Sequence, residues 1–446
     1  MSEQHGDGKL GLKELVAMGV GGMVGGGIFS VLGLAIAQAG HAAPLAFILG
    51  GAIALVTGSS YAKLGLAFRS DGGSFTYLEH AFAHPNIAGL GGWLLLSGYV
   101  GTLALYAFTF GVYGAAMFGQ ASHQPAIQHL LESFILLLFL AVNLYGVKIA
   151  GNTEDVIVMV KVLILALFAL VGIFYVRADY VLPLFNRSPL GVIMGAGLVF
   201  VAYEGFELIP NAVHETADAR RDMPRAIMIS VSVTIVIYVL VSLVAGGNLL
   251  PDEIARYKEY ALAAAAKPFL GHAGFMLIGL AALLSAASAI NATLFGTARL
   301  GMVMAREKAL PTVFSHKERT KDIPWISLLS ITGAALLFVN TTNLTILSAF
   351  ASSTFLLIFA AINLSALRLH ARIGIRYAPP LIGLLLCLAS WLVLVGYLCS
   401  TDLPSLLWVG GFYIAVIVAE LVFSERRCVA HPRCWLQRRS GQNRPD

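Results

Sequence analysis

Three features of this sequence put chemically capable residues where such residues are costly. Lys161 stands in the run Val156-Ile157-Val158-Met159-Val160-Lys161-Val162-Leu163-Ile164-Leu165. Glu204 and Glu207 interrupt another apolar run, Phe200-Val201-Ala202-Tyr203-Glu204-Gly205-Phe206-Glu207. The stretch Gly19-Val20-Gly21-Gly22-Met23-Val24-Gly25-Gly26-Gly27-Ile28-Phe29 holds six glycines in nine residues. A lysine in apolar surroundings can bind and release a proton, or stand in for a metal ion. Carboxylates there attract cations or carry protons. A glycine-rich break frees backbone N–H groups. With the positive end of the following half-helix, these groups suit an anion such as a carboxylate. Each feature also has a plainer reading: a lysine tethered to helix-end carbonyls, a span that ends early so that both Glu residues face water, and close packing of helices through small residues.

The elements that hold these residues follow from composition. Of 446 residues, 58% are hydrophobic and 12% charged, and the mean hydropathy is +0.81. Soluble domains carry about 25% charged residues. A soluble enzyme, a disordered chain and a nucleic-acid binder are therefore excluded, and the reading is an all-α integral membrane protein. The net charge of +5 does not imply a nucleic-acid partner, because the basic residues lie in short segments between apolar runs. A membrane helix takes about 20 mostly apolar residues. Twelve such spans are read, at about 12–38, 42–66, 89–119, 128–147, 153–176, 188–212, 225–247, 271–304, 324–340, 343–367, 379–399 and 404–423. The chain thus divides into a tail at 1–11, one twelve-helix membrane domain at 12–423 and a basic tail at 424–446. The interruption at 248–270 is expected to form a short helix outside the membrane. Met1 to Gly8 is polar and gives no secretory signal.

Basic residues mark the cytoplasmic side. With the N-terminus inside, 23 of the 29 Lys and Arg fall on the inner side and 5 on the outer. Both termini are then cytoplasmic, and the protein is a multi-pass protein of the cytoplasmic membrane. The one basic residue no loop claims is Lys161. It lies about nine residues into its span, ~13 Å deep in a ~30 Å core. Acidic and basic groups at such depth usually carry function. Two glycine-interrupted spans, five spans apart, suggest inverted repeats around a site at the midplane. Four Cys are too few for a disulfide framework. Cys428, His431 and Cys434 form too small a set for a structural metal site, and no cofactor is expected. No catalytic constellation appears within the spans, so the chain is not read as an enzyme.

Together these motifs resemble the amino acid–polyamine–organocation (APC) permeases, and among them the proton-coupled, broad-specificity amino acid permeases of the ApcT type. The resemblance covers about residues 10–425. It rests on the glycine run of span 1 and on Tyr203-Glu204-Gly205-Phe206-Glu207. It also rests on Glu215, on Arg221-Asp222-Met223-Pro224-Arg225-Ala226-Ile227, on Lys267-Pro268-Phe269-Leu270-Gly271, and on Ser285-Ala286-Ala287-Ser288-Ala289-Ile290-Asn291-Ala292-Thr293.

The resemblance implies a LeuT-like fold, a five-plus-five inverted repeat with broken helices 1 and 6 and with helices 11 and 12 outside it. It implies a substrate amino acid between the two breaks. The carboxylate would meet N–H groups of Gly25, Gly26 and Gly27, with Ile28 next in line. The ammonium would meet carbonyls around Gly21, Phe200, Val201 and Tyr203, with Glu204 and Phe206 beside them. Lys161 falls where sodium-coupled relatives hold an ion. Its implied partners are the Gly21 carbonyl and the hydroxyl of Ser285 or Ser288, and this argues for a proton as the coupling ion and against sodium. Tyr99, Thr102, Tyr106, Tyr203, Phe206 and Asn291 are the candidate pocket side chains.

Two departures stand out. Glu204 occupies a position that often lacks a carboxylate in the family. It could draw cationic substrates, carry protons or bond to backbone N–H groups. The segment Gly119–Gln128 contains no Cys, so no disulfide-linked heavy chain is expected. The implied function is secondary active import of amino acids by proton symport. An exchanger on the same fold and a membrane amino acid sensor are the alternatives. The implied partners are the amino acid, the proton and the lipid bilayer.

Overall fold

The computed structural model describes residues 10–70, 72–119, 125–146, 151–249, 251–316 and 323–423. Lys148, most of the 1–11 tail, and the 424–446 tail with Cys428, His431 and Cys434 lie outside the described residues. Apart from one parallel bridge between Leu10 and Thr216, regular structure among the described residues is helical. That is the expected solution for apolar spans, because a helix satisfies its own backbone where water is absent.

In chain order the helices are α1 (Leu12–Met23), α2 (Gly26–Ala39), α3 (Ala43–Phe68), α4 (Gly73–Ala81), α5 (Pro85–Met117), α6 (Pro125–Tyr145), α7 (Gly151–Gly172) and α8 (Leu190–Val199). They continue with α9 (Ala219–Asn248), α10 (Pro251–Arg256), α11 (Ala261–Arg306), α12 (Trp325–Thr341), α13 (Leu344–Arg368), α14 (His370–Ile373), α15 (Ala378–Thr401) and α16 (Leu403–Phe423). Ten helical stretches among the described residues are long and apolar enough to cross a membrane. The protein is a multi-pass membrane protein.

The helices sort into an inner and an outer set. Most of the apolar windows of α5, of the stretch that begins at α8, and of α13 are buried, whereas only a minority of those of α6, α15 and α16 is buried. The outer set presents Leu137, Leu392, Leu407 and Ile414 to the surroundings, as a lipid-facing surface does. α1 packs on α9, α2 on α8, and α11 on α5. Some helix starts carry side-chain caps. Asn343 accepts from the Ile346 N–H at 3.0 Å, and Asp218 from the Arg221 N–H at 3.3 Å.

Two expectations are corrected. The glycine run of span 1 does not unwind as a whole: Gly19, Gly21 and Gly22 remain helical in α1, and only Val24 and Gly25 leave the helix before α2 begins. Here glycine mainly allows close approach. A Cβ on Gly19 would fall 2.6 Å from Ser230 Oγ, and one on Gly21 would fall 2.6 Å from Val158 Cγ2. Close packing and unwinding therefore coexist in one motif.

The second correction concerns the 248–270 interruption. It contains more than a short exterior helix, because Ala261–Ala266 begins α11 and is buried throughout. At Gly271, with φ 64° and ψ −155°, the chain bends into the long membrane helix. That bend lies at the residue where span 8 was expected to start.

A tight backbone approach joins the two halves of the bundle. Gly205 has φ +128°, and a Cβ there would lie 2.5 Å from the Gly22 carbonyl carbon and 2.6 Å from the Met23 nitrogen. Both the dihedral and the space require glycine. Gly205→Ala is expected to prevent assembly, since the strain alone costs about 1–3 kcal/mol and the clash is with backbone. Gly246→Ala, where nothing lies within 4 Å of the added carbon, should fold normally. The yield of monodisperse protein after detergent extraction measures both, and equal yields would refute this account.

Candidate functional site

The site forms where two interrupted helices meet. In the first, α1 ends at Met23, Val24 and Gly25 turn the chain, and α2 starts at Gly26. The first-turn N–H groups of α2 have no partner within the helix, and they form an anion-attracting end. In the second, α8 ends at Val199 and the chain tightens into a 3-10 turn at Phe200–Tyr203. Glu204 and Gly205 then leave the helix, and a second 3-10 segment runs over Phe206–Ala212. The breaks touch: besides Gly205 on Gly22, a Cβ on Gly27 would sit 3.1 Å from Ala202 Cα.

Nonhelical backbone at this depth needs partners, and neighbouring helices supply them. The Tyr238 hydroxyl of α9 reaches the Met23 carbonyl at 2.6 Å and the Ala202 carbonyl at 2.8 Å. One phenol thus spans both breaks. From α13, the Ser348 and Ser352 hydroxyls donate to the Leu198 carbonyl at 2.7 and 2.8 Å, and Ser352 Oγ accepts from the Val201 N–H at 3.0 Å. From α5, the Thr109 hydroxyl bonds to the Leu105 carbonyl of its own helix at 2.8 Å and lies 3.2 Å from the Gly26 carbonyl at the start of α2. The Thr109 hydroxyl also contacts the Ser30 hydroxyl.

Lys161 is fully buried, and its Nζ donates to the Gly21 carbonyl at 2.8 Å. The structure thus brings together the lysine and the span-1 carbonyl singled out from sequence. Ser285, on α11, donates to the Val24 carbonyl at 3.3 Å, so it meets the same break one turn further on. Ser288, three residues along, is half-buried.

Both carboxylates of span 6 are buried, Glu204 at 4% and Glu207 at 3% exposure, which overturns the reading in which the span ends early and they face water. Glu204 Oε2 accepts from the Thr102 hydroxyl at 2.6 Å. It is Glu207, not Glu204, that bonds to freed backbone, its Oε2 accepting from the Gly205 N–H at 2.7 Å.

The candidate pocket side chains separate into two groups. Tyr106 stands against the glycines: a Cβ on Gly26 would meet its Cδ1 at 2.8 Å, and one on Gly25 its Cζ at 3.3 Å. Tyr99 and Thr102 lie on the same helix near the carboxylates. Tyr203 turns away, and its hydroxyl donates to the Phe47 carbonyl of α3 at 2.6 Å. A buried phenol needs a partner, and α3 provides it. Phe200 and Phe206 pack edge-on or tilted against Phe359, and Phe206 also against Tyr61. Asn291 accepts from Asn143 of α6 at 3.1 Å. Val201 and Ile28 are buried. Tyr203, Phe200 and Phe206 therefore bring backbone to the break, while their rings build its wall.

Sequence comparison fits this architecture. A family profile described as "Amino acid permease" matches residues 10–419. The chain belongs to the amino acid permease family. This permease is 34% identical to the uncharacterized protein MJ0609 of Methanocaldococcus jannaschii over 93% of its own length and 95% of that protein. It is 29% identical to the inner membrane transport protein YbaT of Escherichia coli, over 95% and 98%. It is 28% identical to the methylthioribose transporter of Bacillus subtilis, over 92% and 91%. The permease is a membrane transporter and not an enzyme.

Sequence reasoning missed Tyr238, Thr109, Ser348 and Ser352. A tyrosine amid Ile237 and Val239, and two serines at i, i+4 spacing, were visible as polar groups in apolar runs. Their targets are set by other helices and were not. Removing the Tyr238 hydroxyl takes a donor from the Ala202 carbonyl and leaves the Met23 carbonyl with the Gly25 N–H, at 2.8 Å. Tyr238→Phe is expected to destabilise the permease by about 1–2 kcal/mol and to lower the detergent melting temperature by a few degrees. An unchanged melting temperature would show that the two breaks do not depend on this phenol.

Proposed function

We propose that this permease imports amino acids across the cytoplasmic membrane by proton symport, independent of sodium, through alternating access around the two breaks. The observation that carries the proposal is the buried Lys161 ammonium on the Gly21 carbonyl. A fixed ammonium bound to the Gly21 carbonyl, in the last turn before the break, occupies the kind of place an alkali cation would need. A proton is then the ion it can take up and give back.

The arrangement supports a twelve-span, five-plus-five LeuT-like topology with both termini cytoplasmic. One of the ten membrane-length stretches, Gly26–Phe68, comprises α2 and α3, and α12 adds a shorter apolar helix. The substrate carboxylate would be held by the N–H groups at the start of α2, at Gly26, Gly27 and Ile28, while the Gly25 N–H, also expected there from sequence, is spent on the Met23 carbonyl at 2.8 Å. The ammonium would be held by carbonyls of the span-6 break, with Glu204 nearby. In the present arrangement the Gly21 carbonyl is engaged by Lys161, so it belongs to coupling more than to substrate.

The coupling step is a reversible loss of one proton from the Lys161 ammonium to leave an amine. Opening the breaks to one side changes whether the Gly21 carbonyl still faces the nitrogen. Proton affinity then differs between the outward and inward states. The driving force is adequate. One proton moving down about 100 mV gains ~2.3 kcal/mol, and a one-unit pH gradient adds ~1.4 kcal/mol. The total of ~3.7 kcal/mol supports a substrate gradient of roughly 500-fold.

The test is uptake of a radiolabelled amino acid panel in proteoliposomes with and without a pH gradient and sodium. Methylthioribose, named for one relative, belongs in the panel. An inward proton gradient should drive accumulation, and sodium should not alter it. Lys161→Ala should abolish accumulation while substrate binding persists. Accumulation by Lys161→Ala under a pH gradient would remove the lysine from the coupling role. Uptake that requires internal substrate would favour the exchanger.

A separate expectation concerns Glu204. If its carboxylate faces substrate, Glu204→Gln should weaken cationic amino acids about tenfold, or ~1.4 kcal/mol, and neutral ones less. Competition binding across lysine, arginine, alanine and leucine reads this directly. Equal losses for both classes would deny it a selective role.

A further inference from the structure

Asn363 of α13 ties three helices together at one buried amide. Its Oδ1 accepts from the Ser60 hydroxyl of α3 at 2.7 Å, and its Nδ2 donates to the Thr57 hydroxyl of α3 at 2.9 Å. The same Nδ2 reaches the Phe359 carbonyl of its own helix at 3.0 Å, which fixes the way the amide faces. From α15, Cys387 Sγ lies 3.8 Å from Thr57 Oγ1. Gly383 of α15 leaves the space, since a Cβ there would lie 2.7 Å from Asn363 Nδ2 and Oδ1. Thr57, Ser60, Asn363 and Cys387 are all fully buried.

α3 is fastened to the broken span 6 and to α9. Tyr203 is bonded to its Phe47 carbonyl. A Cβ on Gly58 would lie 2.7 Å from Ile227 Cγ2 of α9, and one on Gly65 would lie 2.7 Å from Pro210 Cβ. α13 packs on α5 and α15, and it reaches the span-6 break through Ser348 and Ser352. Among the described residues, every hydrogen bond between α3 and α13 ends on Asn363. Beside it Tyr61 of α3 meets Phe359 edge-on at 5.5 Å, and Arg372 stands over the Phe68 ring at 5.2 Å. Ring contacts tolerate a range of angles. Hydrogen bonds weaken steeply with distance and angle. Bonds that converge on one point therefore resist sliding and leave turning free, whereas bonds spread along an interface resist both. Eleven residues separate Ser352 from Asn363, about 16 Å along α13 at ~1.5 Å per residue. A turn of about 10° at Asn363 displaces the break by ~3 Å relative to α13, which is enough to release a hydrogen bond.

We propose that Asn363 is the pivot on which α3, the span-6 segments and α9 turn against α13 and α15 as the site opens to one side and then the other. It is a positioning residue, because it acts on the site through α3. The proposal rests on the alternating-access reading above and is independent of the ion that drives it. Thr57 and Ser60 keep their bonds to the amide through a turn about it and lose them when α3 slides.

The first test separates binding from turnover, with the panel amino acid that the wild-type protein takes up fastest. Asn363→Leu should leave its Kd within about twofold and lower kcat about tenfold, the effect of two interhelical hydrogen bonds. Without a fixed point, sliding competes with turning. Thr57→Val combined with Ser60→Ala removes the same bonds from the α3 side. It should match Asn363→Leu, and it gives a second reading if that variant does not fold. Because both routes remove the same bonds, the triple variant should be no slower than either. Thr57→Ser, which keeps a hydroxyl, should retain turnover. Losses that multiply in the triple variant would overturn the pivot, and so would a Kd weakened as much as kcat. Faster turnover would make the amide a lock on one state and overturn it too.

The second test reads the motion without transport. One spin-label pair is placed near the amide, at Lys63→Cys and Leu385→Cys, and one far from it along the same two helices, at Ile48→Cys and Ser400→Cys. All four positions are exposed, and the other accessible cysteines are replaced by serine. On addition of the amino acid panel and on acidification, the far pair should shift by ~3 Å or more and the near pair by about a third of that or less. Equal shifts would mean sliding, and a far pair that never shifts would mean no turn. Either result overturns the pivot. If wild-type protein moves no amino acid at all, the transport reading fails, and the acidification series still decides whether α3 turns about Asn363.

Discussion

Unpaired backbone inside a membrane is the constraint on which the rest of this structure depends. A carbonyl or N–H left bare in hydrocarbon costs several kcal/mol. The permease nevertheless interrupts two helices at the same depth. It can do so because neighbouring helices deliver donors to the freed groups: Tyr238 from α9, Ser348 and Ser352 from α13, Ser285 from α11 and Lys161 from α7. The breaks therefore fix where four other helices must stand. Glycine completes the arrangement, because only bare Cα atoms at Gly22 and Gly205 let the two interrupted segments touch.

Much of this was legible in the sequence, and the reason is chemical contrast. A lysine, two glutamates and six glycines stand out in a chain of 58% hydrophobic residues, and their positions within spans follow from length alone. The direction of a tyrosine was not legible. Tyr203 lies in the break, yet its hydroxyl goes to Phe47 in α3. Tyr238 lies in an unbroken helix, yet its hydroxyl serves both breaks. Phenol direction depends on which unpaired carbonyl lies within reach, and that is known only once helices are placed. The width of the first break was illegible for a related reason. Glycine both weakens a helix and lets helices approach, and the sequence pattern is the same for either use. Packing against Ser230, Val158 and Tyr106 keeps most of the run helical and confines the turn to Val24 and Gly25.

The two buried carboxylates follow a common rule. Glu204 is held by a threonine hydroxyl, and Glu207 by a backbone N–H and the Tyr99 phenol. Neutral dipoles stabilise a charge less than an opposite full charge does, and removing one partner of a buried ion pair costs about 3–5 kcal/mol. Groups held by dipoles change partner or protonation at smaller cost. That property suits a site through which a zwitterion must pass, because the ammonium and carboxylate of the substrate themselves supply and remove charge at every step.

The Tyr238 phenol shows how the same economy applies to motion. Its oxygen carries one proton, and two carbonyls lie within hydrogen-bond distance, one on each break. If the span-1 break moves away, the proton can remain on Ala202. If the span-6 break moves away, it can remain on Met23. Either displacement then loses part of one shared bond and strands no donor; a departing Met23 carbonyl keeps the Gly25 N–H at 2.8 Å, and a departing Ala202 carbonyl must meet another donor. A helix pair locked by two separate donors would lose a whole bond at each end. The shared proton thus holds the breaks together in the closed arrangement and sets a low barrier to parting them. Two states that interconvert readily must lie within a few kcal/mol of each other, and a contact of this kind keeps them so.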